Sequence, residues 1–227
     1  MGQAIGQVLP FGVGVALSPV PIIAVVLMLA TPQGRVNGCA FLGGWIVGLA
    51  AAGAILLLAA SGGSASKHGA PADWVSVVKI VLGVLLLLLA LRQWHGRPRG
   101  DAEPQLPGWM KMIDTFTALK AAGMGVLLSA VNPKNLLLIV GAAAAIAQTG
   151  TSTGDQAVAL GVFVLLGTLG TGAPVAIYFL MGERAGDVLE SLRGWMAREN
   201  ATIMTVICLI IGAKLIGDAI SALASSG

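Results

Sequence analysis

The sequence predicts an all-α integral membrane protein whose six transmembrane helices form two inverted three-helix repeats. Three observations predict it: a lipid-like composition, six long apolar stretches, and a heptad that occurs twice beside prolines. Of the 227 residues, 56% are hydrophobic and only 10% are charged, with a mean hydropathy of +0.90. A soluble domain carries about 25% charged residues, because its water-facing shell needs them. Lipid removes that need. The 32 Gly and 10 Pro also suit membrane helices, which tolerate both better than soluble helices do.

A span needs about 20 mostly apolar residues, and six stretches qualify. They run over Ile5–Ala30, Asn37–Ala60, Asp73–Trp94, Ala118–Ala147, Gln156–Met181 and Ala201–Leu223. The third contains Ile80–Leu91, a run without a polar side chain. Thr31-Pro32-Gln33-Gly34, Ser61–Ser66 and Thr149–Gly154 read as turns, and the longest linker covers His95–Thr117. The expected organisation is one membrane domain over 1–227. Its first repeat is 1–94, its linker 95–117 and its second repeat 118–227.

Lys and Arg concentrate on the side that stays in the cytoplasm. The linkers after spans one, three and five carry nine basic residues: Arg35; Arg92, Arg97, Arg99, Lys111 and Lys120; Arg184, Arg193 and Arg198. The opposite side has three, Lys67, Lys79 and Lys214. The expectation is a multi-pass protein of the plasma (inner) membrane, with linker 95–117 cytoplasmic and both termini outside. The first seven residues lack Lys and Arg, so they have no signal peptide's charged start, and the first span is expected to be retained. Gly108–Phe116 places Trp109, Met112, Ile113 and Phe116 on one helical face. Val188–Met196 does the same with Val188, Leu189, Leu192, Trp195 and Met196. Each fits either an interfacial helix at the headgroups or a loop packed on the spans.

Gly12-Val13-Gly14-Val15-Ala16-Leu17-Ser18 and Gly123-Met124-Gly125-Val126-Leu127-Leu128-Ser129 agree at five positions. Each runs at once into prolines: Pro19-Val20-Pro21, and Asn132-Pro133-Lys134-Asn135. Proline has no amide hydrogen and clashes with the preceding turn, so helices one and four are expected to break there. In lipid the freed carbonyls must face protein or a wet cavity. Because each half has an odd number of spans, the halves lie upside-down to each other, the architecture of many secondary transporters. The two breaks are expected to meet at the midplane and form a substrate site. Ser18, Pro19, Pro21, Ser129, Asn132, Pro133, Lys134 and Asn135 are its candidate residues. Packing kinks are the plainer explanation.

Lys134 is the sharpest candidate, since a Lys at the centre of a span costs roughly 2.5–3.5 kcal/mol. No acid shares a span core with it. Its partners are therefore loosened carbonyls, water or an anionic substrate. Thr168 and Thr171, with Gly170, Gly172 and Pro174, mark a flexible point in span five and join the candidate site. Such threonines more often bond their own helix. Lys214 and Asp218 are spaced to pair, and Asp73 and Lys79 read as interfacial anchors.

The Ser18-Pro19-Val20-Pro21 and Asn132-Pro133-Lys134 breaks resemble those of the LysE transporter superfamily. Gly14–Pro21, Gly83–Trp94 and Gly212–Asp218 are similar to its GAP branch, the Sap-like peptidoglycolipid and sulfolipid addressing proteins of mycobacteria and other actinobacteria. That resemblance implies movement of cell-envelope glycolipid across or out of the plasma membrane. It implies as partners the bilayer, a glycolipid or other amphipathic substrate, and a larger lipid exporter. The oligomeric state stays open between monomer and homodimer.

Two rivals keep the same fold: an exporter of amino acids or other small metabolites, and a non-transporting accessory of a larger exporter. A thiol–disulfide electron carrier needs a reactive Cys beside each break, whereas Val20 stands between the prolines and Cys39 and Cys208 lie elsewhere. Those cysteines read as inert packing. His68 and His95 sit in polar linkers, with no acidic pair on a span face. The reading is of a non-enzyme with no cofactor, no metal and no nucleic-acid partner.

Overall fold

The computed structural model describes residues 1–62, 66–67, 70–71, 73–97 and 108–226. Part of the Ser61–Ser66 turn, His68, Arg99 and the middle of linker 95–117 lie outside the described residues. The described chain is helical: α1 Gly2–Ala16, α2 Pro19–Leu29, α3 Gly34–Gly62, α4 Asp73–His95, α5 Ala118–Val126, α6 Pro133–Ala147, α7 Thr153–Met181 and α8 Ala185–Ser226. A two-residue antiparallel ladder, Ser66–Lys67 against Ala70–Pro71, lies between α3 and α4.

Helices α3, α4, α7 and α8 are each long and apolar enough to cross a membrane. The pairs α1–α2 and α5–α6 also pass together, bent by 52° and 59° at their breaks. The chain is thus a multi-pass membrane protein with four such helices among the described residues, or up to six spans if each bent pair is one. Its surface is what lipid requires. Leu58, Leu165 and Leu180 stand more than 60% exposed, with no polar shell over them.

Packing is reciprocal. The first broken pair lies on α7 and the second on α3, while α4 runs alongside α8. Glycines set these crossings, because without a hydrophobic force between helices in lipid, association relies on close backbone approach. A Cβ on Gly44 would sit 2.0 Å from the Ala122 carbonyl oxygen, and one on Gly125 2.2 Å from that of Phe41. Gly83 and Gly212 bring α4 onto α8 in the same way, each with its virtual Cβ within 3 Å of the other's carbonyl oxygen.

Side-chain bonds tie the connections at each end. The Met1 amino group bonds Asp155 Oδ2 at 3.0 Å, and Ser61 Oγ donates to Gln156 Oε1 at 3.1 Å. At the opposite end Asn37 Nδ2 donates to the Phe116 carbonyl at 2.9 Å.

Two amphipathic expectations are corrected. Gly108–Thr115 is a 3-10 helix, with three residues per turn. Met110 and Ile113 are therefore its buried side chains, while Met112, assigned to that face on a 3.6 period, is 55% exposed. Val188–Met196 is no separate interfacial helix; it continues without interruption into α8, whose 42 residues extend about 63 Å. Lys79 also departs from expectation. It is buried rather than anchored at the interface, because α4 turns that face onto α8, where Asp218 and Lys214 are its charged neighbours. Lys214 and Asp218 pair as their spacing implies.

Candidate site at the two broken helices

Both breaks are built alike. Ser18 precedes Pro19 in an extended conformation (φ −100°, ψ 102°), and Asn132 precedes Pro133 (φ −57°, ψ 123°). A residue before proline is driven out of the helical region, and proline is favoured at the first position of the helix that follows. Each helix therefore ends and restarts within two residues. Pro21 also stands in the first turn of α2, where its missing N–H leaves no bond of that helix unmade. The second break is further loosened by a π-helical turn over Leu127–Val131, a deviation that often accompanies functional sites.

At the first break the proline leaves a carbonyl without its helical donor, and a serine answers. Pro19 cannot donate to Val15, so Ser18 Oγ does, at 2.7 Å. Ser129 Oγ makes the matching bond to Val126 at 3.1 Å. Ser18 matches Ser129, and Val15 matches Val126, in the repeated heptad. The two heptads thus share a hydrogen bond as well as a spelling.

The breaks also meet. Lys134, at the second position of α6, sends Nζ to the Gly14 carbonyl at 2.8 Å and to Ser18 Oγ at 2.6 Å. Asn135 Oδ1 lies 3.1 Å from Ser18 Oγ, and Asn135 Nδ2 donates to the Leu128 carbonyl at 3.0 Å. Asn132 Oδ1 caps α6 by accepting from the Lys134 amide at 3.1 Å. Ser18, Ser129, Lys134 and Asn135 are all buried. An ammonium has three donors, and two have protein partners. No carboxylate bonds to Lys134 among the described residues.

The wall behind is α7. A Cβ on Gly170 would stand 1.8 Å from the Ala16 carbonyl oxygen, and Gly167 abuts Val15. On the other side a Cβ on Gly48 would be 2.1 Å from Ser129 Oγ. Trp45 closes α3 onto α7 by donating Nε1–H to the Gly167 carbonyl at 3.2 Å. Thr168 and Thr171 lie on this wall with their hydroxyls turned to their own helix, Thr168 to Val164 at 2.7 Å and Thr171 to Thr168 at 3.3 Å. The structure thus groups Ser18, Pro19, Lys134 and Asn135 directly. Ser129 and Asn132 bond only within the second break.

Sequence reasoning missed Gly14, whose carbonyl holds the ammonium, and Trp45. The heptad match pointed at Gly14 as a residue but not at its carbonyl. Cys39 and Cys208 are free thiols. Cys208 is buried near Lys134, and Cys39 is exposed.

The sequence model of the family described as "Sap, sulfolipid-1-addressing protein" matches residues 8–221. No curated protein and no solved structure matches the chain. With almost its whole length covered, including both breaks and the Lys134 bridge, the chain belongs to the sulfolipid-1-addressing protein family.

Proposed function

We propose that this protein moves an anionic cell-envelope glycolipid across or out of the plasma membrane, and that Lys134 recognises the negative headgroup. The observation that carries this reading is a buried ammonium held, among the described residues, only by neutral oxygens, where two proline-broken helices meet. Burying a charge without an ionic partner is expensive. It is sensible where an anion arrives to complete the pairing. In an idle protein the Gly14 carbonyl and Ser18 hydroxyl hold the ammonium in place. The name of the family, sulfolipid addressing, supports an anionic lipid as cargo.

The chain is read as six spans in two inverted repeats. Support comes from the duplicated heptad, its duplicated Ser-to-carbonyl bond and the reciprocal packing of each broken pair on the other half. The Met1–Asp155 and Asn37–Phe116 bonds agree with a topology that puts both termini outside. The count of basic residues in the linkers after spans one, three and five supports putting those linkers inside.

The test uses the purified chain in phosphatidylcholine vesicles carrying a fluorescent anionic lipid, read by quenching from outside. Faster transbilayer movement than in empty vesicles is expected, with Lys134→Ala reduced to the empty-vesicle rate. If the parent protein moves no lipid, the transport reading falls and the accessory-partner reading stands. Competition by amino acids would favour the small-metabolite exporter.

A further inference from the structure

A groove of about 410 Å³ opens on the outer surface between α4 and the start of α6. Leu85, Leu88 and Leu89 form one wall and Pro133 and Leu136 the other, with Arg92 among the lining residues. We propose that this groove seats one anionic lipid drawn sideways from the bilayer, an acyl chain along the leucines and the negative headgroup on Arg92. The inference rests on the transport reading above, for which it supplies the loading position.

Three observations point to a lipid of that charge. First, the leucines stand open: Leu85, Leu88 and Leu136 are each at least 40% exposed, so the groove is reached from the hydrocarbon. Second, Arg92 is the one cation on its lining. It is exposed and has no carboxylate partner among the described residues. Its neighbour Arg97 is by contrast engaged, stacked 3.6 Å over the Trp94 ring. A guanidinium with five donors in a fixed fork suits a phosphate or sulfate. Third, Pro133, the proline of the second break, lines the groove, and the residue after it is Lys134. From Leu85 to Arg92 the helix rises about 10 Å. An acyl chain laid along that wall therefore has about 10 Å of leucine surface running away from a headgroup held at Arg92. A zwitterionic lipid presents its phosphate beside its own ammonium and gains less from Arg92 than a lipid of net negative charge, and a soluble anion would gain nothing from the leucines.

The experiment measures retained lipid by native mass spectrometry of the full chain, equilibrated with equal phosphatidylglycerol and phosphatidylcholine. Parent protein is expected to prefer phosphatidylglycerol. Arg92→Gln is expected to lower phosphatidylglycerol retention roughly fivefold, the scale of one basic residue at a membrane surface, and to lower phosphatidylcholine retention by less, so that the preference is lost. Arg92→Lys, which keeps the charge but not the fork, is expected to retain part of the preference. Leu136→Trp, which fills the groove, is expected to lower both lipids, and Leu88→Trp does the same from the opposite wall should the first variant fold poorly. Arg35→Gln is expected to change neither. If Arg92→Gln keeps the parent's preference, or both groove-filling variants fold and retain lipid as the parent does, the bound lipid is merely annular and the proposal is overturned. Retention is read without transport, so a protein that binds here yet moves no lipid would sink the transport reading and leave this site standing.

Discussion

The Lys134 ammonium donates to the Gly14 carbonyl at 2.8 Å across 120 residues of sequence. That bond joins the second broken helix to the first at the point where proline disrupts the first. It explains why a lysine is tolerated there, since hydrogen bonds to a charged group contribute about 1.5–3 kcal/mol.

Lys134→Ala is expected to abolish lipid movement while the protein still inserts and packs. Deleting the ammonium leaves the Gly14 carbonyl unpaired but also removes a buried charge, so the stability change is small. Vesicle translocation and thermal unfolding in detergent, measured side by side, check both halves of this expectation. Parent-like translocation by this variant removes Lys134 from the mechanism.

Ser18→Ala is expected to destabilise by about 1–3 kcal/mol, the cost of an unsatisfied buried group. It strips the Val15 carbonyl of its donor and Lys134 of an acceptor. Ser129→Ala should cost less, because Ser129 bonds only within its own helix. Detergent melting curves that rank the two variants in the opposite order would contradict the bridge.

Gly170→Val is expected to prevent accumulation of folded protein. Its first carbon would overlap the Ala16 backbone, which cannot retreat without parting α1 from α7. Gly161→Ala, on the same helix with nothing within 4 Å, should instead be neutral or stabilising by up to about 1 kcal/mol. Yield of monodisperse protein separates the two.

Thr168→Val and Thr171→Val together are expected to leave lipid movement within about twofold of parent, because both hydroxyls already serve their own helix. A loss as large as that of Lys134→Ala would show that these hydroxyls turn to face cargo.

The breaks were legible because proline acts locally: Pro19 and Pro133 force their neighbours out of the helix whatever surrounds them. The repeated heptad was likewise visible as a string. What stayed hidden was which side of each helix faces protein. In water a polar face marks the outside, but here Leu58 meets lipid and Leu49 meets protein with identical side chains. Hydropathy cannot tell them apart. That is why Lys79 was assigned to the interface although it is buried against α8. The Met112 error has a different cause, a 3-10 register that a 3.6-residue period cannot reproduce. Gly14 escaped notice because the functional atom is a carbonyl, which every residue has.

The span of 120 residues between Gly14 and Lys134 also sets a timetable for biogenesis. At about 5–20 residues per second, a ribosome makes the lysine on the order of ten seconds after the glycine. Until then the Gly14 carbonyl lacks the ammonium that holds it in the finished fold. Chains that stop short of residue 134 are therefore expected to be cleared by membrane proteases faster than full-length chains. A pulse-chase of both, showing equal half-lives, would contradict this.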